Sequence, residues 1–112
     1  QKTAYERLRS LVGSEMCIRD RGQASYTRYM KEAGEFVAGV GGKVLYLGKP
    51  DELLNGNEKW DLLMLVHYPS RKAFLSMANN PDYLKAHRFR EEGVERAVLY
   101  ATDPIRFRDI AI

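Results

Sequence analysis

Hydrophobic residues in the first long patterned segment recur at steps of three and four, which is the spacing of one helical face. Lys31, Glu32 and Glu35 fall on the opposite face, and Gly41 and Gly42 follow where a left-handed helix end is expected. The pattern predicts an amphipathic helix that ends near residue 40. Its apolar positions are Tyr26, Tyr29, Met30, Ala33, Val37 and Val40.

Two shorter segments have the pattern of β-strands. Residues 43–48 alternate in polarity, and residues 60–68 form a longer apolar run that Pro69 ends. A turn-rich connection, PDELLNGNE, separates them. They are expected to pair as an antiparallel hairpin with a long loop.

Two helix starts follow the second strand. Ser70 is the expected N-cap of a short helix, and Asn80 caps a second helix in which Pro81 takes the first position. Residues 96–102 then form a last strand, and a tail with apolar Ile105, Phe107 and Ile110 is expected to lie along another surface.

The predicted order is helix, strand, strand, helix pair, strand. A ferredoxin-like βαββαβ unit has this order with one more strand at the front. The sequence therefore predicts an α+β fold, an antiparallel sheet backed by helices, whose first strand is missing or replaced.

Composition first indicates a small basic domain. The chain has 112 residues, a formal net charge of +3 and one cysteine, Cys17. No apolar run approaches the ~20 residues that span a bilayer.

The first 21 residues resemble the translation of a DNA adapter used in transposase-based sequencing libraries. The codons CAG AAG ACG GCA TAC GAG give residues 1–6, and CTC GTG GGC TCG GAG ATG TGT ATA AGA GAC give residues 11–20. Arg21 fits the adapter's last two bases, and Arg7 is the one departure. We therefore expect residues 1–21 to be non-native and residues 22–112 to form a single domain. An authentic amphipathic leader is the alternative.

Excluding this segment changes the electrostatic picture. It holds five of the 18 basic and three of the 15 acidic residues, which leaves a net charge of +1 and no cysteine. Disulfides and zinc–thiolate sites are then absent by count, and little remains to favour nucleic-acid binding. A soluble, cytoplasmic protein without nucleic-acid or membrane partners is expected.

The lost strand has a structural consequence. Leu11–Ile18 is expected either to occupy the first-strand position or to remain disordered. Because the turn-prone GSE interrupts its apolar pattern, we expect it to fit poorly.

The remaining chain resembles a known group. The runs YPSRKAFLSM, NPDYLKAHRFR and VLYATDP, with YTRYMKEAGEFVAGVGGKVLYLGKP upstream, are similar to the dimeric α+β barrel superfamily, specifically its domain-of-unknown-function family numbered thirteen-thirty. The resemblance implies a homodimer formed through the sheets and a pocket between sheet and helices. It implies no cofactor and no general activity. Superfamily relatives include small monooxygenases, cyclases, dehydratases and muconolactone isomerase-like enzymes, but fold kinship alone fixes no reaction.

Two histidines are candidate catalytic bases. His67 ends a strand, where it either acts as a base at a pocket mouth or is exposed to water. His87 lies at i+4 from Tyr83 and Arg90 at i+7, so the three side chains share one helical face.

The Tyr83, His87 and Arg90 group has two interpretations. It is either an anion-binding or acid–base cluster, with Arg90 binding a carboxylate, or a structural set in which Arg90 pairs with Glu91, Glu95 or a dimer partner. Tyr83 and Arg90 also follow from the family resemblance.

Four large side chains are candidates for lining an apolar cavity: Trp60, Tyr46, Met64 and Phe74. Such residues often belong simply to the core. Trp60 and Tyr46 are predicted ligand contacts, and no spacing of metal ligands is found.

Three functions remain open. The chain is a homodimeric binder of a small organic molecule, or a cofactor-independent monooxygenase, isomerase or dehydratase that uses a histidine base and Arg90 as an anion clamp, or a structural module without a pocket.

Overall fold

The computed structural model describes residues 11–103 and residue 105. Four strands and three helices follow one another along the chain. They are β1 (Leu11–Ile18), α1 (Gln23–Gly39), β2 (Lys43–Gly48), β3 (Leu62–His67), α2 (Arg71–Ala78), α3 (Pro81–Gly93) and β4 (Val94–Thr102).

The strands form one antiparallel sheet in the order β2-β3-β1-β4. The helices cover one face of this sheet, so the predicted ferredoxin-like α+β fold class is confirmed. Strand β1 is central, and its residues pair with β3 on one side and β4 on the other.

Strand β1 occupies the first-strand position and is continuous through GSE. Gly13 lies on the face away from the helices, where an added Cβ would be in ordinary contact with Leu65 at 3.4 Å. Ser14 is buried on the helix-facing side, and Met16 is 1% exposed beneath the helices. Of the two expected outcomes for Leu11–Ile18, the structure therefore shows occupation of the first-strand position.

The predicted helix ends are found with small shifts. The Ser70 side chain accepts a hydrogen bond from the Ala73 amide at 3.0 Å, and that of Asn80 accepts one from Asp82 at 2.8 Å. Gly41 has a φ of 81°, the left-handed conformation that glycine adopts at least cost after a helix.

Two strands differ from their predicted ranges. Strand β3 begins at Leu62 because Asp61 leaves the ladder: its amide donates to the Met16 carbonyl at 2.8 Å, and its carboxylate accepts from the Ile18 amide at 2.7 Å. Strand β4 begins at Val94, directly after α3. The Ile105, Phe107 and Ile110 tail lies almost entirely outside the described residues.

A glycine contact fixes how α1 crosses α3. A Cβ on Gly93 would lie 2.7 Å from the Gly22 carbonyl oxygen and 2.9 Å from the Tyr26 nitrogen. Neither glycine has room for a side chain, so the first turn of α1 packs directly on the end of α3. This crossing sets the positions of Tyr26, Tyr29 and Tyr83 in the core.

Within residues 11–103, every helix falls short of the length and apolar character needed to cross a membrane.

Candidate functional site

A cavity of about 260 Å³ lies between the sheet and the helices. Its sheet side is built from alternate residues of the strands, including Ser14, Met64, Val66 and Leu99. These point toward the helices because side chains alternate across a strand. Residues of helices α1, α2 and α3 form the other side. Most of the lining side chains are apolar.

Two tyrosine hydroxyls meet in the cavity wall. The Tyr29 oxygen on α1 lies 2.8 Å from the Tyr83 oxygen on α3, and both side chains are buried. One hydroxyl donates to the other, so the pair keeps one O–H proton for a further acceptor. The rings pack edge-on, with centroids 6.4 Å apart.

Burial keeps the hydroxyl groups of Tyr26, Tyr29 and Tyr68 neutral. Loss of solvation raises the pKa of Tyr29 strongly, and it raises the pKa of Tyr26 and of Tyr68 to about 12. The Arg90 charge offsets part of the rise in pKa for Tyr26 and Tyr29. Tyr29 and Tyr68 therefore line the cavity as neutral groups, and they do not act as bases near neutral pH.

His87 lies at the same end of the cavity. Its ring centroid is 5.9 Å from that of Tyr83 and 6.3 Å from that of Tyr29. Its Nδ1 is 3.1 Å from Oε1 of Glu91, one turn further along α3. Because a carboxylate accepts and does not donate, Nδ1 carries the proton, and Nε2 keeps its lone pair when the ring is neutral.

Arg90 is the one permanently charged residue among those described that line the cavity. It is half-buried and close enough to affect Tyr26 and Tyr29 electrostatically. Within residues 11–103 it forms no ion pair with Glu91 or Glu95, the pairing that a structural role predicts. The structure thus brings Tyr83, His87 and Arg90 together at one cavity, as their helical spacing suggests.

Three other candidate residues, His67, Tyr46 and Trp60, do not line the cavity. His67 pairs with Leu11 and Lys43 and falls on the sheet face away from the helices, since its neighbours Val66 and Tyr68 line the cavity. It does not line the cavity; the residue is half-buried, and its Nε2 is buried without a hydrogen-bond partner among the described residues.

Tyr46 and Trp60 also depart from their predicted positions. An irregularity in β2 between Val44 and Tyr46 shifts the register, so Tyr46 pairs with Leu65 on the outer face. Trp60 lies before β3 with the Arg96 guanidinium 4.1 Å from its ring centroid. Of the four predicted cavity residues, Met64 and Phe74 line the cavity.

Arg96 explains the position of Trp60. Its guanidinium donates to the Lys59 carbonyl at 2.8 Å and to the Cys17 sulfur at 3.3 Å, and it lies 3.6 Å from Glu58. These contacts tie the loop before β3 to strands β1 and β4, so Trp60 and Glu58 have a structural role.

Three lining residues with polar side chains are not among the candidates that the sequence predicts. Helical spacing places Tyr29 among the apolar positions of α1. Its contact with Tyr83 depends on how α1 packs on α3, which the spacing does not encode. Tyr68 was read as part of a strand. Ser14 lies in the segment set aside as adapter-like. In the part of the chain that the structure describes, no group of three His, Cys, Asp or Glu side chains could hold a metal ion.

Solved structures share this fold. A protein of unknown function from Rhodopseudomonas palustris is 25% identical, with 95% of this chain and 96% of that chain covered and a TM-score of 0.81. A dimeric protein of unknown function with a ferredoxin-like fold from Bacteroides fragilis is 14% identical over 83% of this chain and 97% of that one, with a TM-score of 0.53.

A third structure is a protein from Bacteroides thetaiotaomicron provisionally assigned as an antibiotic biosynthesis monooxygenase. It is 21% identical over 86% of this chain and 89% of that chain, with a TM-score of 0.63. At this identity the likeness extends to the fold alone. No curated protein matches the chain.

The family itself is settled by a match along most of the sequence. The family model for the domain of unknown function DUF1330 matches residues 15–103, which run from within β1 to the residue after β4. The chain therefore belongs to the DUF1330 family.

Proposed function

We propose that this chain is a homodimer that binds a small organic molecule in the cavity between the sheet and the helices. The observation that carries the proposal is the cavity itself, an apolar space of about 260 Å³ with a few polar groups at one end. Ligand sites usually have this composition, because apolar walls supply affinity and a few polar groups fix orientation.

The volume limits the ligand. Pockets for drug-sized molecules span ~300–1,000 Å³. A cavity of about 260 Å³ suits a smaller molecule, of the size of a substituted single ring or a short aliphatic chain.

Gly34 on α1 offers a way to block this cavity. It lines the cavity, and a Cβ added there would meet nothing within 4 Å, so a larger side chain can enter without a clash. We expect Gly34→Leu to fold at least as well as the parent, since leucine favours a helix over glycine by up to ~1 kcal/mol. It should lose binding to a panel of small aromatic and aliphatic compounds measured by isothermal titration calorimetry.

Gly39→Leu is the matched control. Gly39 lies on the same helix, also has nothing within 4 Å of an added Cβ, and does not line the cavity. Binding that survives Gly39→Leu and disappears with Gly34→Leu supports the cavity as the site. If the parent binds no member of the panel, the structural-module alternative is favoured.

The homodimer part of the proposal is supported by the uncovered face of the sheet. Among the residues that the structure describes, no helix packs there, and Tyr46 and Tyr100 are 52% and 55% exposed beside the apolar Leu63 and Leu65. An apolar patch of this kind on a small domain is typical of an interaction surface. The Bacteroides fragilis protein of the same fold is described as dimeric.

Light scattering after size-exclusion chromatography tests this part. We expect a dimer for the parent and a monomer for Leu65→Glu, which places a charge in the middle of the apolar face. Leu54→Glu is the control, because Leu54 is 87% exposed in the loop before β3. A monomeric parent would refute the dimer.

A second candidate function is cofactor-independent catalysis. The Glu91–His87 hydrogen bond favours it, because it leaves His87 Nε2 as a base at a cavity that also holds neutral tyrosine donors. NMR of each bound compound over time would detect turnover. His87→Gln should then abolish turnover and retain binding, while His67→Gln should leave both intact.

A further inference from the structure

We propose that the ligand is an organic monocarboxylate, with its carboxylate at Arg90 and the Tyr29–Tyr83 hydroxyl pair and its apolar body along Met64, Phe74 and Met77. This inference rests on the proposed binding function and assigns the chemical class of the ligand.

The charge at the cavity is unbalanced. Arg90 lines the cavity, no Asp or Glu does, and within the described residues Arg90 forms no ion pair. A half-buried guanidinium has lost part of its hydration, and an anion that binds there restores the lost interactions. A carboxylate fits best, since guanidinium presents two parallel N–H groups to two oxygens.

The tyrosine pair supplies a further donor near this charge. The Tyr29 and Tyr83 oxygens are 2.8 Å apart, and one O–H remains free. Arg90 lies two helical turns after Tyr83 on α3 and lines the same cavity, so it shares the helix face of the tyrosine pair. A neutral ligand oxygen can accept from the hydroxyl and from the guanidinium, but an anion gains more, because charge-assisted hydrogen bonds are roughly twice as strong as neutral ones.

The rest of the lining restricts the ligand to one charged group. The space away from Arg90 is bounded by side chains such as Met64, Phe74, Met77 and Leu99, with no second cation among the described lining residues apart from His87 when protonated. A second carboxylate, a phosphorylated sugar or a free inorganic anion would leave charged oxygens against apolar walls, which is costly.

The test compares phenylacetate with its uncharged isostere phenylacetamide by isothermal titration calorimetry on the full chain. We expect phenylacetate to bind at least 10-fold more tightly. Inorganic phosphate, the third probe, should not bind, because it has no apolar body.

Three variants test whether the difference in affinity between the acid and the amide depends on Arg90. Arg90→Gln should lower the affinity for phenylacetate at least 10-fold and change the affinity for phenylacetamide less than about 3-fold. Arg90→Lys keeps the charge but not the two parallel N–H donors, so its loss of affinity for phenylacetate should be intermediate. Arg88→Gln is the matched control on the same helix, since Arg88 is exposed and does not line the cavity.

The outcomes separate this inference from the function on which it rests. Equal affinity for the acid and the amide, or an equal loss of both in Arg90→Gln, overturns the carboxylate assignment and leaves the binding function standing. Phosphate binding that matches phenylacetate overturns the organic part of the assignment. Absence of binding by both organic probes and by every compound of the wider panel overturns the proposed function and the inference together.

Discussion

Tyr26 has a buried hydroxyl without a hydrogen-bond partner in the described part of the chain. The residue is 2% exposed, so its hydroxyl is shielded from bulk water. A buried hydroxyl left unpaired costs ~1–3 kcal/mol. The residue belongs to the tyrosine cluster beside the cavity, with its ring centroid 5.7 Å from that of Tyr29.

Removal of this hydroxyl should stabilise the protein. We expect Tyr26→Phe to raise the free energy of unfolding by up to about 1 kcal/mol, measured by urea denaturation. Tyr29→Phe should lower the free energy of unfolding by a similar amount, because it removes the hydrogen-bond partner of the buried Tyr83 hydroxyl. Equal destabilisation by both substitutions would show that the Tyr26 hydroxyl has a partner.

Strand β1 is the element on which the sheet most depends. It contributes two of the three strand pairings in the sheet, yet it contains Gly13 in its interior and Ser14 in the core. Glycine within a strand adds no packing and costs more backbone entropy on folding. We propose that this adapter-like strand substitutes for a better first strand of the family.

Replacement of Leu11–Ile18 by the first strand of the Rhodopseudomonas palustris relative should therefore raise the melting temperature. A gain of ~1–2 kcal/mol corresponds to roughly 4–8 °C or more in a domain of this size. Gly13→Ala is a smaller step in the same direction, because its Cβ would make ordinary contact with Leu65. Equal melting temperatures for the parent and the strand replacement would contradict this account.

The local signals in the sequence were sufficient for most elements. Helical spacing identified Tyr26, Tyr29 and Ala33 as inward residues, and the caps Ser70 and Asn80 marked helix starts because their side-chain bonds involve only neighbouring residues. The face of Tyr46 could not be predicted in this way, because one irregularity in β2 reverses it.

The candidate site was predictable in part for the same reason. Tyr83, His87 and Arg90 share one helical face, so their convergence is a local property. The Tyr29–Tyr83 contact joins residues 54 apart in the chain and depends on how α1 crosses α3. The cavity volume likewise depends on the packing of the sheet against three helices, which no local pattern encodes.

At the scale of the whole molecule, the buried tyrosines make the stability of the fold depend on pH in the alkaline range. The pKa of Tyr26 and of Tyr68 is raised from 10.0 to about 12 by burial, and that of Tyr29 is raised further. The unfolded chain therefore releases these protons near pH 10, whereas the folded chain holds them to about pH 12 or beyond. Stability should be unaffected by these groups below pH 10 and should fall as the pH rises from 10 through 12.

Absorbance at 295 nm can follow the ionisation of the phenols directly, since the chain has seven tyrosines. We expect the last phenols to ionise together with the loss of helical circular dichroism. Ionisation of all seven near pH 10 with the helical signal intact would contradict the burial of this cluster.

The most direct test of the binding cavity is an NMR titration of the isotopically labelled chain with phenylacetate. The account predicts that shift changes concentrate on residues around the cavity, such as Ser14, Ala33, Val66, Met77 and Tyr83, and that Gly34→Leu abolishes them. Changes confined to the outer sheet face around Tyr46 and Tyr100, or no changes at saturating phenylacetate, would contradict it.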